Sequence, residues 1–257
     1  KGQVYVWSHG WSTGSHATTI PYGFPRYAAT GGFQSLANGL LDGLAVHTDF
    51  RLVSIDHGSG GWVATDRSGR NFVSRGIIMT PPLPISLSLL RSVKASIPAT
   101  AWEALSQIRY GPCLCGLFLI AGDVILPEPG ALQRPDQPLG WIADNRRKGI
   151  SPEACVLTVH AGTDISRERW GTKNEQVLSW MHEQVAPYLA GDAQIVRGRV
   201  VRWRHALPMS IYPERFLASE LLSPLVLAGD AFAGPRVEGA VLSGLAAAEA
   251  MRRKLVS

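Results

Sequence analysis

Cysteine is scarce: Cys113, Cys115 and Cys155 are all that 257 residues contain. An odd count in CxC rather than CxxC spacing supports neither a disulfide framework nor a zinc site, and it reads as reduced thiols of a cytoplasmic protein. Long apolar runs are missing too. None reaches the ~18 residues of a membrane span, and the opening "KGQVYVWSHGWSTGSH" lacks the apolar core of a signal peptide, so no membrane partner is expected. No GxSxG nucleophile elbow occurs, which argues against a hydrolase. His9, His16, His47 and His57 are dispersed without HxH or HExxH spacing, and no metal is expected. There is no internal repeat or low-complexity tract. The net charge of +5 is spread over positions such as Arg26, Arg51, Arg67, Arg70, Arg75 and Arg146 to Lys148 without aromatic interleaving. Nucleic acid is therefore not an expected partner, while an anionic cofactor or a substrate carrying phosphates is compatible with the cation surplus.

What is present is enough to build a core, with 46% hydrophobic and 18% charged residues. "YVW" reads as a short strand, and "STGSHATTIPYGFPRYAATGG" after it as loop, because Gly, Pro, Ser and Thr interrupt every period. "GFQSLANGLLDGL" sets Phe33, Leu36, Leu40 and Leu44 at helical spacing. The segment from Ala45 to Pro82 predicts two or three short strands with turns at Gly58 to Gly61 and Ser68-Gly69, then a buried strand Gly76 to Thr80 stopped by Pro81-Pro82. Leu83 to Ile108 is helical with a break at Pro98 and a cap signal at Thr100. "CLCGLFLIAG" and "ACVLTVHAG" are apolar strands separated by a polar loop, and "KNEQVLSWMHEQVAPYLAG" is an amphipathic helix with Val177, Trp180, Met181 and Val185 on one side. Trp102 and Trp180 read as core. Strands near "AQIVRGRVVRWRHAL" and "LVLAGD" precede a last helix from Val237 to Leu255. The expected class is mixed α/β with antiparallel strands in the middle.

The stretch "LVLAGDAFAGPRVEGAVLSGLAAAEAM", residues 225 to 251, is the most informative. A buried strand releases Gly229-Asp230, crosses a Gly/Pro elbow, and restarts as a helix whose first turn offers unpaired N–H groups to an anion or a carbonyl. Small residues from Gly239 to Ala247 let that helix approach a sheet or an extended ligand closely. An ordinary βα unit capped by Asp230 would look the same, so physics alone leaves both readings open.

This stretch resembles the C-terminal flavin motif of the flavin-containing amine oxidase superfamily, and its wording is most similar to the renalase-like branch. "VVRWRHALP", "YAATGGFQSLANGL", "VHTDFRLVSID" and "GIIMTPPLPISLSLL" are similar to further segments of that branch, and they run in its order. The resemblance implies FAD. Asp230 would bind its ribityl or pyrophosphate portion, Gly229 would admit the backbone closely, and the helix start at Val237, Glu238, Gly239 and Ala240 would face the N1/O2 edge of the ring. Leu52 would meet adenine through its main chain. His205, with Trp203 and Arg204, would stand on the substrate side; a core histidine satisfied by backbone groups is the other reading of His205. The donor implied is an isomeric dihydronicotinamide dinucleotide, or an amine as elsewhere in the superfamily, with dioxygen as the acceptor. "DNRRKG", Asp144 to Gly149, could meet substrate phosphates or be a solvated charged loop.

Flavoproteins of this kind open with a strand, a GxGxxG turn and a helix, a unit of roughly 30 residues. It is absent here, since "HGSGG" at 57 to 61 has the wrong spacing and reads as a hairpin turn. The expectation is a partial FAD-binding Rossmann-like domain, 25–82 with 222–257, interleaved with a substrate domain of antiparallel sheet and helices, 1–24 with 83–221. The sequence is expected to be a truncated one. A catalytically silent remnant that acts only as a binding or structural domain is the rival to the enzyme.

Overall fold

A computed structural model describes residues 4–10, 25–219 and 224–256. In chain order the elements are strands β1 (Val4–Ser8) and β2 (Arg26–Ala29), helix α1 (Phe33–Leu41), strands β3 (Leu52–Gly58), β4 (Gly61–Asp66), β5 (Asn71–Ser74) and β6 (Ile77–Met79), then α2 (Leu83–Leu89) and α3 (Ala99–Gln107). Strands β7 (Tyr110–Ala121), β8 (Ala131–Gln133), β9 (Leu139–Asp144) and β10 (Cys155–Ala161) follow, then α4 (Thr163–Glu168), α5 (Asn174–Val185), β11 (Gln194–Pro208), β12 (Leu217–Ala218), β13 (Leu225–Leu227) and α6 (Val237–Val256).

The chain forms two compact units, Lys1–Val46 with Pro112–Arg204, and His47–Gly111 with His205–Ser257. These boundaries differ from those expected. Residues 25–46 belong with the first unit, because β2 pairs antiparallel with β1. Residues 83–111 belong with the second, where Leu83, Leu87, Leu90 and Leu105 share one core with Met79, Leu225 and Leu227.

In the first unit the sheet runs β11-β7-β10-β9-β8. Period-2 alternation splits it cleanly. Leu157 and Val159 of β10 turn to a core built with Leu114, Phe118 and Ile142 and with Val177, Met181 and Val185 of α5. Thr158 and His160 turn to the other face, with His160 opposite Cys115 on one side and Trp141 on the other. Strands β8 and β9 lie in what reads as polar loop, and β2 lies in another such stretch; all three are strands by pairing rather than by their own apolar pattern. His16 and the rest of 11–24 lie outside the described residues.

The second unit holds the antiparallel meander β3-β4-β5 and a small sheet, β12-β13-β6, in which β13 and β6 are parallel. Gly58 and Gly61 face each other across the first hairpin, at the turn expected from "HGSGG". Thr100 lies inside α3, which starts after Pro98 with no side-chain cap. Helix α6 packs on the small sheet through Ser243, Ala247 and Met251. On a different side it carries Val237, Val241 and Leu245 at four-residue spacing, 58%, 49% and 64% exposed. No helix of the described residues is long and apolar enough to cross a membrane.

Candidate functional site

The end of β13 is held from several directions. Leu225, Val226 and Leu227 are fully buried and in register with Ile77, Ile78 and Met79, and the Ala228 N–H continues the ladder to the Met79 carbonyl at 3.0 Å. The chain then turns at Gly229, whose φ of 140° lies where a side chain would be strained. The Gly229 N–H donates to Ser243 Oγ at 2.9 Å, and that hydroxyl donates to the Arg215 carbonyl at 2.5 Å. A buried helix serine thus pins the strand tip.

Asp230 follows, half-buried. Its Oδ1 accepts a 2.8 Å hydrogen bond from the Tyr110 hydroxyl, and Oδ2 receives no donor among the described residues. Burial, followed by the hydrogen bond and charge of Asp230, pushes the Tyr110 hydroxyl well above the usual phenol range. Tyr110 therefore stays protonated and keeps donating, which fixes the carboxylate and leaves one oxygen for a ligand hydroxyl. Tyr110 also meets the His205 ring edge-on, with centroids 5.6 Å apart. Sequence reading missed Tyr110, which precedes "GPC" with nothing to distinguish it from a core tyrosine.

Past Asp230 the elbow is tied back by two bonds to Tyr212, whose N–H donates to Ala231 at 2.7 Å and whose carbonyl accepts from Ala233 at 2.9 Å. The elbow then crosses the first turn of α6 so closely that a Cβ on Gly239 would lie 2.3 Å from the Gly234 carbonyl oxygen. Glycine at 239 thus makes room for the chain's own peptide. The Ala240 N–H donates to the Arg236 carbonyl at 2.9 Å, so of the four residues expected at the helix start Ala240 is already paired, while Val237 and Glu238 precede that bond and are exposed. Leu52 opens β3, the edge strand of its meander, and packs its side chain against the core. Its main chain lies on an edge with no further ladder partner among the described residues.

The substrate-side residues do not converge. Trp203 and Arg204 project to opposite faces of β11. Trp203 lies 6.3 Å from His160, ring to ring, while Arg204 stacks over Trp170 at 5.4 Å on the side of α4 and α5. Alternation along a strand forbids both from lining one site. The "DNRRKG" loop also divides. Arg146 pairs with Asp123 at 2.5 Å and Arg147 with Glu128, whereas Lys148 turns inward over the Trp7 ring at 4.9 Å.

A glycine in the left-handed region, a carboxylate with one oxygen not bonded among the described residues and an open helix turn stand in succession along the chain. The model of the family described as flavin containing amine oxidoreductase matches residues 6–252. A comparison with curated proteins gave no match. Among solved structures, cyclohexylamine oxidase from Brevibacterium oxydans IH-35A is similar with a TM-score of 0.63 at 14% identity, over 88% of this chain and 53% of that one. An oxidoreductase from Methanosarcina mazei gives 0.62 at 16% identity, over 89% and 56%, and a redesigned putrescine oxidase gives 0.61 at 14%, over 89% and 54%. The chain thus spans about half the length of the structures it resembles. With the fold shared and the family's profile followed from β1 into α6, this chain belongs to the flavin-containing amine oxidoreductase family, whose cofactor is FAD.

Proposed function

We propose that the protein is an FAD-dependent oxidoreductase of the renalase-like kind, taking a hydride from a small reduced donor with dioxygen as the final acceptor. For a dihydronicotinamide donor the sum is donor, dioxygen and one proton going to oxidised donor and hydrogen peroxide. The observation that carries the reading is the β13 to α6 elbow, where Gly229, Asp230 and the exposed turn at Val237 and Glu238 succeed one another. FAD, when bound, supplies the electron acceptor. Asp230 would hold its sugar-alcohol or pyrophosphate portion through Oδ2, and the positive end of α6 would favour negative charge at the ring edge. Leu52 would contact adenine through its main chain. His205, placed by Tyr110, would position the donor, since hydride removal needs alignment more than a base.

The wording of "WRHALP" and of the elbow favours the renalase-like branch, and the cation surplus favours a phosphate-bearing donor over an amine. Three free thiols suit a cytoplasmic setting. The test is the colour and turnover of the purified protein. Bound FAD, donor-dependent peroxide and a loss of flavin in Asp230→Ala are expected. A folded, colourless protein that fails to take up added FAD would leave the binding or structural remnant as the better reading.

A further inference from the structure

The second unit holds a cavity that the flavin reading does not use. Three successive stretches wall it: α2, the helical turn Arg91–Ser96 that follows, and α3 with the residues leading out of it. Its volume is about 590 Å³, within the roughly 300–1,000 Å³ of small-molecule sites. The floor is aliphatic and fixed. Leu87, Leu105 and Ile108 line it and are buried in the core that also holds Leu90, Leu225 and Leu227, so packing sets their rotamers before anything enters. The opening is cationic. Arg91, Lys94 and Arg109 line the cavity and are exposed, and no aspartate or glutamate lines it. Among the described residues none of the three reaches a carboxylate within ion-pair distance, whereas Arg70, Arg146 and Arg252 each do. Uncharged groups hold two of them in place. Lys94 Nζ stands 5.4 Å over the Trp102 ring, and Arg109 Nη1 donates to the Ser106 carbonyl at 2.5 Å. Like charges gathered at one opening repel one another until an anion joins them.

We infer that this cavity binds an organic anion with an aliphatic body, an alkyl chain ended by a carboxylate or a phosphate. The chain would lie on Leu87, Leu105 and Ile108 and take apolar surface out of water. The head group would meet the guanidinium groups of Arg91 and Arg109, whose planar donors match its oxygens, with Lys94 adding charge. The ring in the wall, Trp102, is already stacked by Lys94, and the rest of the apolar lining is aliphatic, so an aliphatic body fits better than a flat aromatic one. An ammonium would meet only cations at the opening. The site needs no flavin and does not depend on the redox reading.

The test is isothermal titration calorimetry of the 257-residue chain against decanoate, decyl phosphate and decan-1-ol, which share one chain length, each below the concentration at which it forms micelles. Both anions should bind at one equivalent and at least about tenfold tighter than the alcohol, with a preference that shrinks as salt is raised. The tighter anion names the head group. Arg91→Gln combined with Lys94→Gln should cost each anion about tenfold, as expected for two partly screened pairs, and leave the alcohol unchanged. Ser88→Trp, at the exposed edge of the cavity, should weaken all three by filling the space, and circular dichroism checks that the variants fold. Val241→Lys, which breaks the exposed apolar stripe of α6, should leave both anions unchanged. Anions that bind no tighter than the alcohol or not at all, affinities untouched by the double substitution, or binding lost in Val241→Lys and kept in Ser88→Trp would overturn the inference. Flavin content, read separately by absorbance, tells the two proposals apart: a colourless chain that prefers the anions sinks only the oxidoreductase reading, and a yellow one blind to their charge sinks only this one.

Discussion

Removing the Ser243 hydroxyl is the most direct perturbation of the strand-to-helix junction. The side chain is fully buried, accepts from the Gly229 N–H and donates to the Arg215 carbonyl. Ser243→Ala deletes both bonds and leaves a void of one oxygen. At a net ~0.5–1.5 kcal/mol per bond the loss is about 1–3 kcal/mol. For a chain of this size that lowers the melting temperature by roughly 2–12 °C. The assay is thermal unfolding followed by far-UV circular dichroism, with flavin content measured on the same samples. Ser243 reaches the proposed cofactor only through Gly229 and Asp230, so weaker flavin retention should accompany the lower melting temperature. A transition within about 1 °C of the parent, with flavin content unchanged, would refute the pin.

Tyr110→Phe removes the donor to Asp230 while keeping the ring against His205; a hydrogen bond to a charged group contributes ~1.5–3 kcal/mol, so FAD should dissociate more readily by about tenfold or more, whereas an unaltered dissociation constant would mean that Tyr110 does not orient the carboxylate. Burial raises the Cys113 thiol to about 12 and the Cys115 thiol to about 11, and Cys155 is raised as well, mainly by burial. Iodoacetamide at pH 8 should therefore label the native protein slowly and all three thiols after denaturation, as counted by mass; rapid native labelling would contradict the burial. Burial works against ionisation of Asp66, but hydrogen bonds from Ser68 and Arg70 together hold it at about 2, below its ordinary 3.8. A depressed folded value means that its contribution to stability is intact above about pH 4 and fades as pH falls toward 2. Asp66→Asn should flatten that part of the stability-against-pH curve, and an identical slope in both proteins would argue against the hairpin network.

The parts of the fold legible in the sequence are those where apolar pattern and punctuation agree. Ile77 to Met79 is an apolar run closed by Pro81-Pro82, Leu225 to Leu227 is a fully buried one closed by Gly229, and α5 shows the fully buried Val177, Met181 and Val185 at helical spacing. Strands β2, β8 and β9 were hidden because their residues are strand-like only beside their partners, and pairing across distant chain segments leaves no local period. The site divides similarly. Gly229, Asp230 and the helix after them are contiguous, so one motif displays them. Tyr110 comes to Asp230 across 120 positions, and Lys148 reaches Trp7 from a loop whose three cations look alike in sequence. Arg204 failed as a companion of Trp203 for the plainest reason, the two-residue repeat of a strand.

Helix α6 is apolar on two sides. One is filled by the small sheet, and the other, along Val237, Val241 and Leu245, meets water over most of its length. A surface like that adsorbs fluorogenic hydrophobic dyes in the native state, so a dye-based melting curve would start bright and report poorly on unfolding. The same stripe will draw the protein to plastic, to micelles and to its own copies at high concentration. Dilute samples and a trace of mild detergent are the practical answer.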